Sequence, residues 1–201
     1  MIFDAPGVEA VAAFCAGIVL ETGDEIRAAT LLAAGAPIVL VGEAALRDSG
    51  VVKRLIVAHG GERVGAYAPA RRQAVSWSLE TDSNADFKIV APSTCEPAWE
   101  VLTAAGAGSG TLLHWWLAAL HDLGATQFLV RADIGDDADL NICARLVESF
   151  DERLWLGPLA DATPRLEEWI TYGQCRQLAL MPDLFARMDA NETEGNTSCA
   201  P

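Results

Sequence analysis

Short, mainly apolar runs recur along this chain at the spacing of a repeating strand–helix unit, and this recurrence limits the fold more than any other feature. Ile18-Val19-Leu20, Pro37 to Val41, Arg63 to Ala68, Gln127 to Ala132, Leu154 to Gly157 and Gln177 to Met181 are each three to six residues long. Segments of helical period stand between or beside them: Asp24 to Ala34, Ala44 to His59, Leu112 to Leu123, Leu140 to Phe150, and Thr163-Pro164 to Tyr172. A strand without a polar side is covered on both faces. Strand, helix and strand at this spacing imply right-handed parallel crossovers. The pattern predicts an α/β protein of about six βα units.

Local signals agree with this reading. Gly35, Gly60-Gly61 and Gly124 stop their helices. Leu113, Trp116, Leu117 and Leu120 follow i, i+3, i+4, i+7 and predict one buried face. Thr111 is the expected N-cap of that helix, and Pro164 suits a first helical position. Val8 to Cys15 is a short helical pattern, with nothing before Val8 long enough for two further strand–helix units.

Residues 73–110 break the rhythm. Val75 to Leu79, Phe87 to Val90 and Trp99 to Leu102 read as β segments of an inserted meander. On a barrel, an insert after a strand covers the C-terminal mouth. Gly106-Ala107-Gly108-Ser109-Gly110 reads as a flexible link, because it lacks the lysine or acidic partner of a phosphate-binding loop. Residues 1–188 form the expected single domain, and the polar, aperiodic tail 189–201 is expected to be disordered.

Composition narrows the function. An apolar fraction of 51% and a mean hydropathy of +0.22 fit strands covered on both faces. No run nears the ~18 apolar residues of a membrane span, and no secretory leader opens the chain, so a cytoplasmic protein is expected. A formal charge of −14 opposes nucleic acid and anionic lipid. The five cysteines include no C-x-x-C pair, so neither a disulfide framework nor a zinc site is indicated. Cys15, Cys143 and Cys175 sit in or beside apolar segments as small core residues. His114 and His121, seven apart on one helix, lie away from its apolar stripe and face solvent. No motif names a cofactor.

Two stretches carry a family likeness. Leu31 to Ala68 reads as a helix ending in Ala-Gly-Ala, a strand ending in glycine, an Ala-Ala pair, a Val-Val-Lys-Arg-Leu helix and a Gly-Glu-Arg-Val strand entry. Leu112 to Asp183 follows as helix, strand with Ala132-Asp133-Ile134, helix, strand, helix, strand. In order and spacing these resemble the third through eighth units of the ProFAR isomerase (HisA) family and its cyclase cousins, which are ribulose-phosphate-binding TIM barrels. The resemblance implies an incomplete TIM-barrel-like fold lacking the first two strand–helix units.

It also implies what has been lost. The family's acid and base are aspartates on the first and fifth strands. The first strand is absent by this reading, and the fifth-strand position falls on Tyr67. The family's phosphate loops correspond to Glu21-Thr22-Gly23-Asp24, Gly157 to Asp161 and Pro182-Asp183, where carboxylates repel phosphate and prolines remove donors. The isomerase reaction itself is therefore not expected.

Around the implied mouth, Asp133, Glu43 and Tyr67 are the candidate catalytic residues. Glu21, Arg71, Arg131, Asp161 and Asp183 are the candidate ligand-binding residues. Clustered carboxylates can raise one another's pKa values, supply acid–base chemistry or hold a hard cation. The competing reading makes them N-caps and solvated loop residues, with the arginines in surface ion pairs.

Two functions follow as expectations. One is a non-catalytic, accessory protein in small-molecule metabolism, related to histidine biosynthesis and, through the resemblance, to one-carbon cofactor metabolism. Its open strand edges are covered by a second copy or a partner protein. The alternative is a divergent isomerase or lyase acting on a small phosphorylated or anionic metabolite.

Overall fold

The computed structural model describes residues 1–73 and 96–186. The β segments expected at Val75 to Leu79 and Phe87 to Val90, and the tail from residue 189, lie outside the described residues.

The chain begins with β1 (Ile2–Phe3), a 3-10 turn over Val8–Phe14, β2 (Ile18–Leu20) and α1 (Glu25–Ala33). Then come β3 (Val39–Val41), α2 (Glu43–Arg47), α3 (Gly50–His59) and the long β4 (Val64–Arg72). A hairpin of β5 (Trp99–Leu102) and β6 (Gly108–Leu112) leads into α4 (Leu113–Asp122). The chain closes with β7 (Phe128–Arg131), α5 (Asp137–Phe150), β8 (Leu154–Gly157) and α6 (Leu166–Thr171).

The sheet is mixed and mostly parallel. β1, β2, β3, β4, β7 and β8 pair in parallel in that order, each with its predecessor, and a single bridge joins Leu156 to Leu178 beyond β8. Only the far end of β4 turns antiparallel, where Ala70, Arg71 and Arg72 pair with Val101, Glu100 and Trp99. β4 is thus shared by the parallel sheet and the hairpin.

Local chemistry explains the helices. Asp24 caps α1 by accepting the Arg27 amide at 2.8 Å, and Gly35 ends the turn with φ +97, a conformation glycine adopts without a Cβ clash. Asp136 caps α5 through the amides of Ala138 and Asp139. The expected face of α4 is buried at Leu113, Trp116, Leu117 and Leu120.

The two faces of the sheet carry separate apolar clusters. Ile18, Val39, Val41, Ala66, Phe128, Val130 and Leu156 join the large core shared with the helices. Phe3, Val19, Leu40, Tyr67, Leu129, Trp155 and Ala179 form a second, smaller cluster on the other face. In a flat sheet β1 and β4 would stand about 14 Å apart, yet the Phe3 and Tyr67 rings meet edge to face at 5.6 Å. Arg131, one strand further on, lies 5.8 Å over the same Phe3 ring. The sheet therefore curls toward this cluster, with the helices outside.

Several expectations need correction. The helix expected over Ala44 to His59 is two helices. Asp48 is extended and its carboxylate accepts the Gly50 amide at 2.9 Å, so the chain turns there instead of continuing. Gly108 to Leu112 is not a link but a strand paired with β5. Thr111 belongs to that strand, and Leu112 stands at the N-cap of α4 without a side-chain cap. Pro164 precedes α6 rather than opening it. The last expected strand reduces to the bridge at Leu178. A strand does precede Val8: Ile2–Phe3 is only two residues long, below what a sequence pattern reveals.

Candidate functional site

The C-terminal ends of β2, β3 and β4 meet beneath the hairpin. Glu21, Gly42, Glu43, Leu46, Tyr67 and Pro69 line a small cavity there, with Val101, Leu102 and Ala104 of the hairpin over them. Its volume is about 10 Å³, the lower limit for a single water. The hairpin thus fills the space next to the candidate residues Glu21, Glu43 and Tyr67.

Tyr67 points into the smaller cluster and is 1% exposed. Its hydroxyl donates to Glu21 Oε1 at 3.3 Å, a long bond. Burial, then the negative charge of Glu21, pushes the phenol from its ordinary 10.0 up to about 12, against the opposing pull of Arg131. Near neutral pH the phenol is protonated, so Tyr67 is a hydrogen-bond donor and not a base. Glu43 opens α2 and forms an ion pair with Arg47 one turn later.

Arg131 and Asp133, two residues apart at the end of β7, both hold the loop that follows β8. Arg131 donates from Nε to the Pro158 carbonyl at 2.8 Å and from Nη2 to the Leu159 carbonyl at 2.9 Å. Asp133 does the reverse. Its Oδ1 accepts the backbone amides of Leu159, Ala160 and Asp161, each at 2.9 Å. Successive amides converging on one point form an anion-binding nest, and here the anion is the protein's own carboxylate. Asp161 accepts the Thr163 amide at 2.8 Å and shapes the next turn. The carboxylates of Asp133 and Asp161, expected as a catalytic and a ligand-binding group, are both engaged by backbone amides.

Arg71 faces Glu100 across the β4–β5 pair, with its Nε 3.1 Å from Oε1. Arg71, expected among the ligand-binding residues, is thus held in an ion pair with the hairpin. Asp183 is exposed on a helical turn at 182–186. The structure brings Glu21, Glu43, Tyr67 and Arg131 together and leaves Arg71, Asp133 and Asp161 with other partners. Among the described residues, no group of three or more His, Cys, Asp or Glu side chains is placed to hold a metal ion.

One network escaped the sequence reading. Asp139, 5% exposed on the first turn of α5, accepts Trp99 Nε1 at 2.9 Å, Arg72 Nε at 3.0 Å and the Gly135 amide at 2.9 Å. Arg72 also forks onto Asp136. The Arg72 hydrogen bond is the main cause holding the exposed Asp136 carboxyl at about 2. The network pins the hairpin to the start of α5. Its only trace in the sequence is the acidic run Asp136-Asp137-Ala138-Asp139, which reads equally well as a helix start.

Compared with known proteins, the chain matches no family model, and no curated protein sequence matches it significantly.

Proposed function

We propose that the protein is a divergent, incomplete barrel of the ProFAR isomerase type that has lost the isomerase reaction and serves as a non-catalytic, oligomeric accessory protein in small-molecule metabolism. The observation that carries this reading is the seat of Asp133 on the amides of residues 159–161. In the family, a loop at this place cradles a substrate phosphate. Here a side-chain carboxylate already holds its donors. Tyr67, at the position of the family's fifth-strand aspartate, is buried and protonated, which leaves that position without a base. The curl of the sheet and the chain-order succession of its parallel strands, with the β5–β6 hairpin branching off β4, support the barrel reading. The one-carbon setting rests on the resemblance alone.

The oligomeric part rests on the sheet edges. β1 has two residues, and beyond β8 pairing thins to one bridge. Chain segments flanking both edges expose large apolar groups: Met1, Ile2 and Phe14 at one, Met181 and Phe185 at the other. Open edges of this kind invite pairing with another chain.

Light scattering and native mass spectrometry on one purified sample test the reading, together with an assay for isomerase turnover. A stable homodimer or partner complex without turnover is the expected result. A compact monomer carrying a bound anionic metabolite overturns it and favours the divergent isomerase or lyase, for which Glu21, Tyr67 and Arg131 are the residues brought together.

A further inference from the structure

Away from the mouth, two of the five cysteines come together. Cys143 lies on α5 and is fully buried, while Cys175 follows α6 and is 5% exposed. Both belong to the large apolar core. Gly173 sits between them. A methyl group placed on its α-carbon would lie 3.3 Å from Cys143 Cβ, and its carbonyl oxygen lies 3.8 Å from Cys175 Sγ. Contact with Cys175, then burial, pushes the Cys143 thiol up, and contact with Cys143 lowers that of Cys175.

An open groove of about 860 Å³ runs along α5, lined by Ala144, Val147, Gln174 and Arg176, chain neighbours of the two buried cysteines, which are not themselves part of its lining. Gln174 has φ +56, a left-handed backbone uncommon outside glycine, so the segment carrying Cys175 is a tight turn rather than a helix.

We propose that Cys143 and Cys175 are a thiol–disulfide modification site, oxidised by hydrogen peroxide to one intramolecular bond that ties α5 to the segment entering the last sheet position. Cys175, 5% exposed where Cys143 is fully buried, is the attacking thiolate. Its sulfur forms an S–O bond as the peroxide O–O bond breaks, and the departing hydroxide takes a proton to become water. The Cys143 sulfur then displaces the hydroxyl of the Cys175 sulfenic acid. The S–S bond forms, the Cys143 thiol proton leaves with the hydroxyl as a second water, and the two thiols have given two electrons to the peroxide.

The test exposes the reduced full-length protein to hydrogen peroxide under native conditions, followed by alkylation in denaturant and peptide mapping. The expected product is one species joining the Cys143 and Cys175 peptides, lighter than their sum by two hydrogens and separated by dithiothreitol. The oxidised protein should melt several degrees higher than the reduced one, and Cys175→Ser should show neither the link nor the rise. Recovery of both residues as alkylated thiols, or a link from either to Cys15, Cys95 or Cys199, overturns the proposal. Should Cys175→Ser fail to fold, the wild-type peptide map decides alone.

Discussion

Asp133 and the loop after β8 depend on each other. Three amides converge on one carboxylate oxygen, and charge-assisted bonds of this kind are stronger than neutral ones. Asp133→Asn keeps one acceptor oxygen but loses the charge. It should cost about 1 kcal/mol, less than a buried site would because Asp133 is exposed. Denaturant unfolding checks this, and an unchanged midpoint would mean that the Arg131 bonds suffice to hold the loop. Tyr67 gives a pH prediction. Its phenol is raised from 10.0 to about 12, so the folded state holds the proton more tightly than the unfolded state does. Its contribution is full below 10.0 and is lost as pH rises through about 12. Wild-type stability should therefore fall more steeply over that window than the stability of Tyr67→Phe. Parallel slopes in alkaline denaturant titrations would show that the phenol is not buried in solution.

At the level of elements, the hairpin and α5 form one unit through Arg72, Asp139 and Trp99. Arg72→Met removes the cation and leaves the Asp139 carboxylate buried, a change expected to cost about 2 kcal/mol once the partial exposure of Arg72 is allowed for. Faster hydrogen exchange confined to β5 and β6 is the accompanying signature, and uniform loosening of the whole chain would count against it. The pairing of β4 with its neighbours depends on Gly65. A Cβ there would lie 2.2 Å from the Gln127 carbonyl oxygen, a backbone atom that cannot move aside alone. Gly65→Ala should lower stability by more than about 2 kcal/mol, read from the melting midpoint. A near-neutral effect would place β4 and β7 further apart than described.

For the whole molecule, the proposed association is argued from a curled sheet with two short edges. The protein should run above its monomer mass of 21.3 kDa at low micromolar concentration. Phe14, 89% exposed in the connection between β1 and β2, is the natural probe. Phe14→Glu should shift the population toward monomer while leaving the fold intact by circular dichroism. A wild-type monomer at that concentration would remove the argument from the edges.

Periodicity and punctuation, both local, made most of the architecture legible in the sequence. β2 and β8 match their apolar runs residue for residue, because a strand buried on both faces has only apolar residues to show. The α4 face was equally plain, since helical period alone brings Leu113, Trp116, Leu117 and Leu120 together. Where one interaction competes with the pattern, local reading failed: a single Asp48 side chain splits a helix, and a glycine-rich stretch becomes β6 because β5 offers it a ladder. The candidate site was half legible. Register places Glu21 and Tyr67 at the same level of the sheet, two strands apart, but spacing is silent on which partner a carboxylate finds. That Asp133 turns to the amides of residues 159–161, and that Asp139 reaches Trp99 and Arg72, depends on segments far apart in the chain. Periodicity and composition set the buried faces and the charge, while only the tertiary arrangement, which brings distant segments together, decided which charged groups meet.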